Sequence, residues 1–215
     1  VQNVLRKHDV LFVADEVICG FGRTGSMWGS QTYDIRPDIV TCAKQLSSAY
    51  IPIAGVMISD EIYQAFRAQS EKHGALGTGY TYGGHPVAAA VALETLKIYE
   101  ERDIVGHVNA VSPRFQERLH TLAGHPLVGE ARGVGLIGGL EIVADKQTRA
   151  QHDPSVKAAP KVFEKALAEG LVVRALPGDA IGVCPPLIIT VEQIDDLFDR
   201  LERAFDAAGT ELPTT

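Results

Sequence analysis

Cysteine, basic residues and long apolar runs are scarce in this chain of 215 residues, and each scarcity excludes something. The three cysteines, Cys19, Cys42 and Cys184, stand too far apart for a CxxC metal or redox motif. Their odd number leaves no closed disulfide framework, so a reducing, cytoplasmic setting is expected. Lys and Arg total 20 against 27 Asp and Glu, a net charge of −7 without a basic block. The electrostatic footprint of nucleic acid or anionic-membrane binding is therefore missing. No apolar stretch approaches the roughly 18 residues of a membrane helix, and Val1–Val10 is too short and polar for a signal segment. No two of the seven histidines stand at the i, i+4 spacing of a helical zinc site, so no metal is expected.

What is present is globular in composition, with 46% hydrophobic and 22% charged residues and enough length for a sizeable core. Val10–Ala14 is an apolar run ending in Asp15-Glu16, the pattern of a buried parallel strand that delivers acids at its C-terminal end. Open α/β sheets place ligands at that edge. Gly20-Phe-Gly-Arg-Thr-Gly25 must be a loop, and strands are expected at 38–42 and 53–58. The first of these two ends just before Ala43-Lys44. Asp60 is the expected N-cap of a helix over 61–68. Residues 71–86 are glycine-rich and read as a functional loop. Pro86 opens an alanine-rich helix to about Glu101. A helix over 105–122 is expected to kink or break at Pro113. The remainder reads as two-layer α+β: a glycine-bearing strand over 134–143, a helix over 159–169 stopped by Gly170, and short strands at 171–175 and 180–184. Thr190 and Gln193 form a capping box opening a last helix to about Ala208, followed by a frayed tail.

Asp15 and Lys44 thus fall at the ends of neighbouring strands. Lysine as a Schiff-base amine, with a carboxylate holding a pyridine nitrogen protonated, is what pyridoxal phosphate needs. The surrounding residues make the pattern specific. Val13-Ala-Asp15-Glu16-Val17-Ile-Cys-Gly20-Phe-Gly-Arg23-Thr24-Gly25, Pro37-Asp38-Ile39, Ala43-Lys44 and Ser47-Ser48-Ala49-Tyr50 follow one another in order and spacing. Gly79-Tyr80-Thr81-Tyr82-Gly83-Gly84-His85-Pro86, Arg132-Gly133-Val-Gly135-Leu136 and Pro185-Pro186-Leu187 continue the series. Together they resemble class III (ω-type) pyridoxal-phosphate-dependent aminotransferases over essentially the whole chain, most closely the amine and β-alanine–pyruvate branch.

The resemblance implies an α/β chain of transferase fold type I. Residues 1–103 would be the C-terminal part of the cofactor-binding large domain, and 104–215 a C-terminal α+β small domain. It implies pyridoxal 5′-phosphate as cofactor, small-molecule amine and keto acid substrates, and a homodimer. By position, Lys44 would be the catalytic lysine bonded to the cofactor and Asp15 the partner of its ring nitrogen. Val17 would pack on the ring face, and Thr81 would reach the phosphate of the neighbouring subunit's cofactor. Arg174 would bind the carboxylate of the amino acceptor through its planar fork. Glu16 alternates to the opposite side and reads as structural, as do Arg23, Trp28 and His85. The implied reaction moves an amino group from an amine or ω-amino acid to a keto acid such as pyruvate. Within the family, 4-aminobutyrate, ornithine, diamine and diaminopelargonate aminotransferases and the glutamate-semialdehyde aminomutase stay open. Outside it, a cofactor-free, inert piece stays open. Because the chain opens on Val1 and the family's phosphate loop is not found in it, it is expected to be the second half of a longer enzyme.

Overall fold

The computed structural model describes residues 1–212, and the chain divides into two compact units, Val1–Val105 and Gly106–Thr215.

The first unit is organised by three short strands rich in β-branched residues, β1 (Val13–Asp15), β2 (Ile39–Cys42) and β3 (Gly55–Ile58), ordered β1-β2-β3. β1 and β2 are parallel, pairing Asp15 with Thr41, whereas β3 runs antiparallel to β2. Asp38 fastens their N-terminal ends. Its carboxylate accepts the Phe12 N–H at 2.7 Å and the Arg6 guanidinium at 2.8 Å, and its backbone N–H donates to Phe12 at 2.8 Å. These donors hold the Asp38 carboxyl below the usual range, the Phe12 N–H first and Arg6 second. Four helices complete the unit: α1 (Gln2–Lys7), α2 (Gly29–Thr32), α3 (Asp60–His73) and α4 (Pro86–Glu101).

Several expectations are corrected here. Only Ala14 of the apolar run before Asp15 is buried; Leu11 and Val13 are 58% and 52% exposed, because β1 is an edge strand whose outer face the described residues leave uncovered. The helix expected over 61–68 runs on to His73, 14 residues in all. Ser59, not Asp60, caps it by accepting the Ile62 N–H at 3.4 Å, while Asp60 and Glu61 face the positive end of the helix dipole. Gly74 ends it at φ 82°, so the glycine-rich loop is 74–85.

In the second unit, α5 (Ile104–Thr121) runs unbroken through Pro113, which lies on the exposed side where water can meet a displaced carbonyl. The strand expected over 134–143 is a hairpin of β4 (Val128–Val134) and β5 (Ile137–Ile142), turning at Gly135 with φ 56°. With β6 (Arg174–Leu176) and β7 (Ala180–Val183) it forms an antiparallel sheet ordered β4-β5-β7-β6. Helix α5 lies tightly on the hairpin: a Cβ on Gly133 or Gly138 would stand 2.7 or 2.6 Å from a Leu119 methyl. Helices α6 (Ala158–Ala168) and α7 (Val191–Gly209) pack together. Thr190 and Gln193 form the expected capping box.

The core holds fully buried Phe115, Phe198, Phe205, Leu119 and Leu140, with the Phe115 and Phe198 rings edge to face at 5.2 Å. Arg114 and Arg118 both reach Asp195 and bind α5 to α7. The tail is not frayed through Leu212, whose side chain is buried and whose N–H donates to Ala208 at 3.0 Å; residues 213–215 lie outside the described set.

Candidate active site

The C-terminal edge of β1 and β2 carries Asp15 and, two residues beyond β2, Lys44. Parallel pairing puts Asp15 and Thr41 side by side on one face. The Asp15 carboxylate takes both of its hydrogen bonds on Oδ1, from the Val17 N–H at 3.0 Å and from the Thr41 hydroxyl at 3.2 Å. Its Oδ2 has no partner among the described residues and the residue is exposed, so one carboxylate oxygen remains for a ligand.

Lys44 opens a single 3-10 turn, Lys44–Ser47, in the left-handed conformation with φ 43°; Ser48 and Ala49 follow at φ 47° and 61°. Three non-glycine residues in that region within six positions store strain that the surroundings must hold. Ser47, 1% exposed, helps by donating its hydroxyl to the Ile51 carbonyl at 2.7 Å, and α4 packs on the turn. The Lys44 amine projects from this brace exposed to solvent.

Glu16 is 3% exposed, opposite in face to Asp15, in agreement with its structural reading. Its two carboxylate oxygens accept the N–H groups of Gly29 at 2.8 Å and Ser30 at 2.6 Å. This closes the loop between them around a buried cluster. Phe21 lies against Trp28 at 4.9 Å and Tyr99 at 6.4 Å, and Arg23 is 4% exposed. Burial pushes the Tyr99 phenol up to about 12, with Arg23 pulling the other way. A side chain at Gly20 or Gly29 would collide with this closure, its Cβ 2.7 Å from the Glu16 carbonyl or 2.8 Å from Cys19.

The remaining candidates are placed as follows. Val17 is half-buried beside Asp15, to which its N–H is bonded. Thr81 is exposed on the 74–85 loop between Tyr80 and Tyr82, themselves 90% and 81% exposed. Arg174 is exposed at the start of β6, in the second unit. The structure therefore brings Asp15, Val17 and the Lys44 turn to one sheet edge, and places Thr81 and Arg174 on other segments. Two residues given no role in the sequence brace the strand pair from opposite ends, Thr41 at the Asp15 edge and Asp38 at the N-terminal ends. The signal for Thr41 is the strand alternation, which sets it beside Asp15 once β1 and β2 are aligned.

A lysine and an aspartate following the C-terminal ends of neighbouring parallel strands have the donor and acceptor chemistry of a pyridoxal phosphate site, and the unbonded Asp15 Oδ2 suits a protonated ring nitrogen. The model for the aminotransferase class-III family matches residues 1–205, and the chain belongs to that family, whose cofactor is pyridoxal phosphate. It is 49% identical over 198 residues to gamma-aminobutyrate transaminase 1, mitochondrial, of Oryza sativa subsp. indica, a match covering 92% of this chain and 38% of that protein. The ω-transaminase of Pseudomonas jessenii, solved in complex with PMP, superposes with a TM-score of 0.93 at 44% identity, over 97% of this chain and 46% of that one. A transaminase solved with L-Ala superposes at 0.94 with 48% identity, over 98% and 49%. The chain spans about half the length, or less, of the curated relatives it matches. Among the described residues, no helix is long and apolar enough to cross a membrane.

Proposed function

We propose that this chain carries the lysine and ring-nitrogen side of the active site of a class III transaminase that moves an amino group from an amine or ω-amino acid to a keto acid such as pyruvate. The observation that carries the reading is the alignment of Asp15 and the Lys44 turn on one edge, with one oxygen of Asp15 left unbonded. Bound there, pyridoxal phosphate supplies an electron sink. Lys44 Nζ would hold the cofactor and, once displaced by the incoming amine, would take and return the proton at the amine-bearing carbon of the substrate, while Asp15 Oδ2 would keep the ring nitrogen protonated. Val17, adjoining Asp15, packs on the ring. Residues 1–103 act as part of the large domain and 104–215 as the small one. The parent enzyme is a cytoplasmic homodimer in which the exposed 74–85 loop brings Thr81 to the neighbouring subunit's cofactor phosphate.

Pyruvate as acceptor is supported by the relative solved with L-Ala, the amino acid that pyruvate becomes on gaining an amino group. Arg174, exposed on β6, is the cation proposed for its carboxylate. 4-Aminobutyrate as the donor is the second reading, favoured by the identity to the rice transaminase.

The test is direct. Pyridoxal phosphate added to the chain gives a visible absorbance band, and borohydride then fixes the cofactor on the peptide containing Lys44. A band of equal strength in Lys44→Ala overturns the site. In the parent enzyme Arg174→Ala raises the KM for pyruvate; indifference to that change removes the role of Arg174.

A further inference from the structure

The edge that holds Asp15 and Lys44 is joined by one side chain, Thr41. It occupies the third position of β2, paired in register with Asp15, and stands three residues before Lys44. Its backbone carbonyl accepts the Glu16 N–H at 2.9 Å while its hydroxyl donates to Asp15 Oδ1 at 3.2 Å. The same oxygen also takes the Val17 N–H at 3.0 Å.

Two donors on one carboxylate oxygen fix the χ2 torsion that an otherwise exposed aspartate would leave free, and they aim the unbonded Oδ2 outward. We infer that Thr41 is a positioning residue for the ring nitrogen of a pyridine cofactor: its hydroxyl saturates Oδ1 so that Oδ2 meets the ring N–H in a fixed direction. The inference rests on the proposed cofactor site and extends it to a residue that touches neither cofactor nor substrate. Val17 cannot replace Thr41, because its N–H approaches from the chain segment of Asp15 itself and ties the carboxylate only to its own strand end. Thr41 ties it to the strand that leads to Lys44. The two groups that grip opposite ends of the cofactor are therefore referenced to one another through this residue.

The test measures dissociation constants of the full chain for pyridoxal phosphate, and for its 1-deaza analogue, in which the ring nitrogen is replaced by carbon. Wild type, Thr41→Val, Thr41→Ser and Asp15→Asn are compared, with far-UV circular dichroism as a check of folding. Because the Thr41 bond orients the carboxylate rather than touching the cofactor, its loss is expected to count as one ordinary net hydrogen bond, about a 3- to 10-fold weaker binding of pyridoxal phosphate in Thr41→Val. Thr41→Ser keeps the donor and stays within about twofold of wild type. The deaza analogue, with no ring N–H to meet, binds wild type and Thr41→Val alike. Equal loss for both ligands in Thr41→Val, or no loss for either, overturns the role of Thr41 even where Asp15→Asn discriminates between them. Asp15→Asn binding both ligands as wild type does, or no binding by wild type at all, overturns the cofactor site itself and this inference with it.

Discussion

Replacing Glu16 by glutamine isolates the closure that supports the Asp15 edge. Glu16 offers two oxygens to two backbone donors, Gly29 N–H at 2.8 Å and Ser30 N–H at 2.6 Å, within a nearly dry environment. Glutamine has one carbonyl oxygen, so its amide must face the second N–H donor to donor. That loses one charge-assisted bond and strands a buried N–H, each worth about 1–3 kcal/mol, while relief of the buried charge returns part of the loss. A net destabilisation of about 2 kcal/mol is expected. Glu16→Asp retains the charge but is one methylene too short to span both donors, and a similar loss is expected from reach alone. Trp28, the single tryptophan, precedes Gly29 and lies tilted against Phe21, so its fluorescence reports this unit. With a urea m-value of about 2 kcal/mol/M, the fluorescence midpoint moves down by about 1 M. A midpoint in Glu16→Gln within about 0.25 M of wild type, the equivalent of about 0.5 kcal/mol at that m-value, refutes the view that the paired acceptors hold this loop.

Two further outcomes follow from shifted titrations. The Asp38 carboxyl is held low chiefly by the Phe12 N–H and then by Arg6, so its stabilisation is complete above the unfolded value of about 3.9 and disappears as pH falls through the lower folded value. Asp38→Asn is expected to lose about 1–2 kcal/mol at pH 7 and to show a shallower decline than wild type in melts between pH 5 and 2; parallel declines would contradict this. Tyr99, raised to about 12 by burial, ionises in the unfolded chain near 10, so stability falls by about 1.4 kcal/mol per pH unit between those values. Tyr99→Phe removes that contribution, and urea titrations at pH 10.5 and 11.5 that fall as steeply in the variant as in wild type would count against it.

The placement of Asp15 and Lys44 at the ends of neighbouring strands is legible because its signals are local: an apolar run stopping at Asp15, and a second stopping at Ala43-Lys44. What escaped depended on partners distant in sequence. Thr41 and Asp38 acquire meaning only when β1 and β2 align, and Asp38 then joins Phe12, Arg6 and the β3–α3 junction at Ser59. The hairpin of β4 and β5 was read as one strand because Gly133, Gly135, Gly138 and Gly139 mask the turn; two of them exist to admit Leu119. Pro113 misled because local propensity forbids what α5 tolerates on a solvent face. Leu11 and Val13 were read as buried from apolarity alone, which cannot tell an edge strand from a central one.

The interval between Asp15 and the Lys44 turn is set by backbone hydrogen bonds of a parallel ladder. It behaves as a ruler that side-chain drift elsewhere cannot lengthen. Loops such as 74–85, and the start of β6, can change composition freely without disturbing it, whereas a one-residue slip of β2 would turn Thr41 away and carry the lysine with it. Under the reading proposed above, substitutions in those loops leave the spacing between Asp15 and the Lys44 turn unchanged.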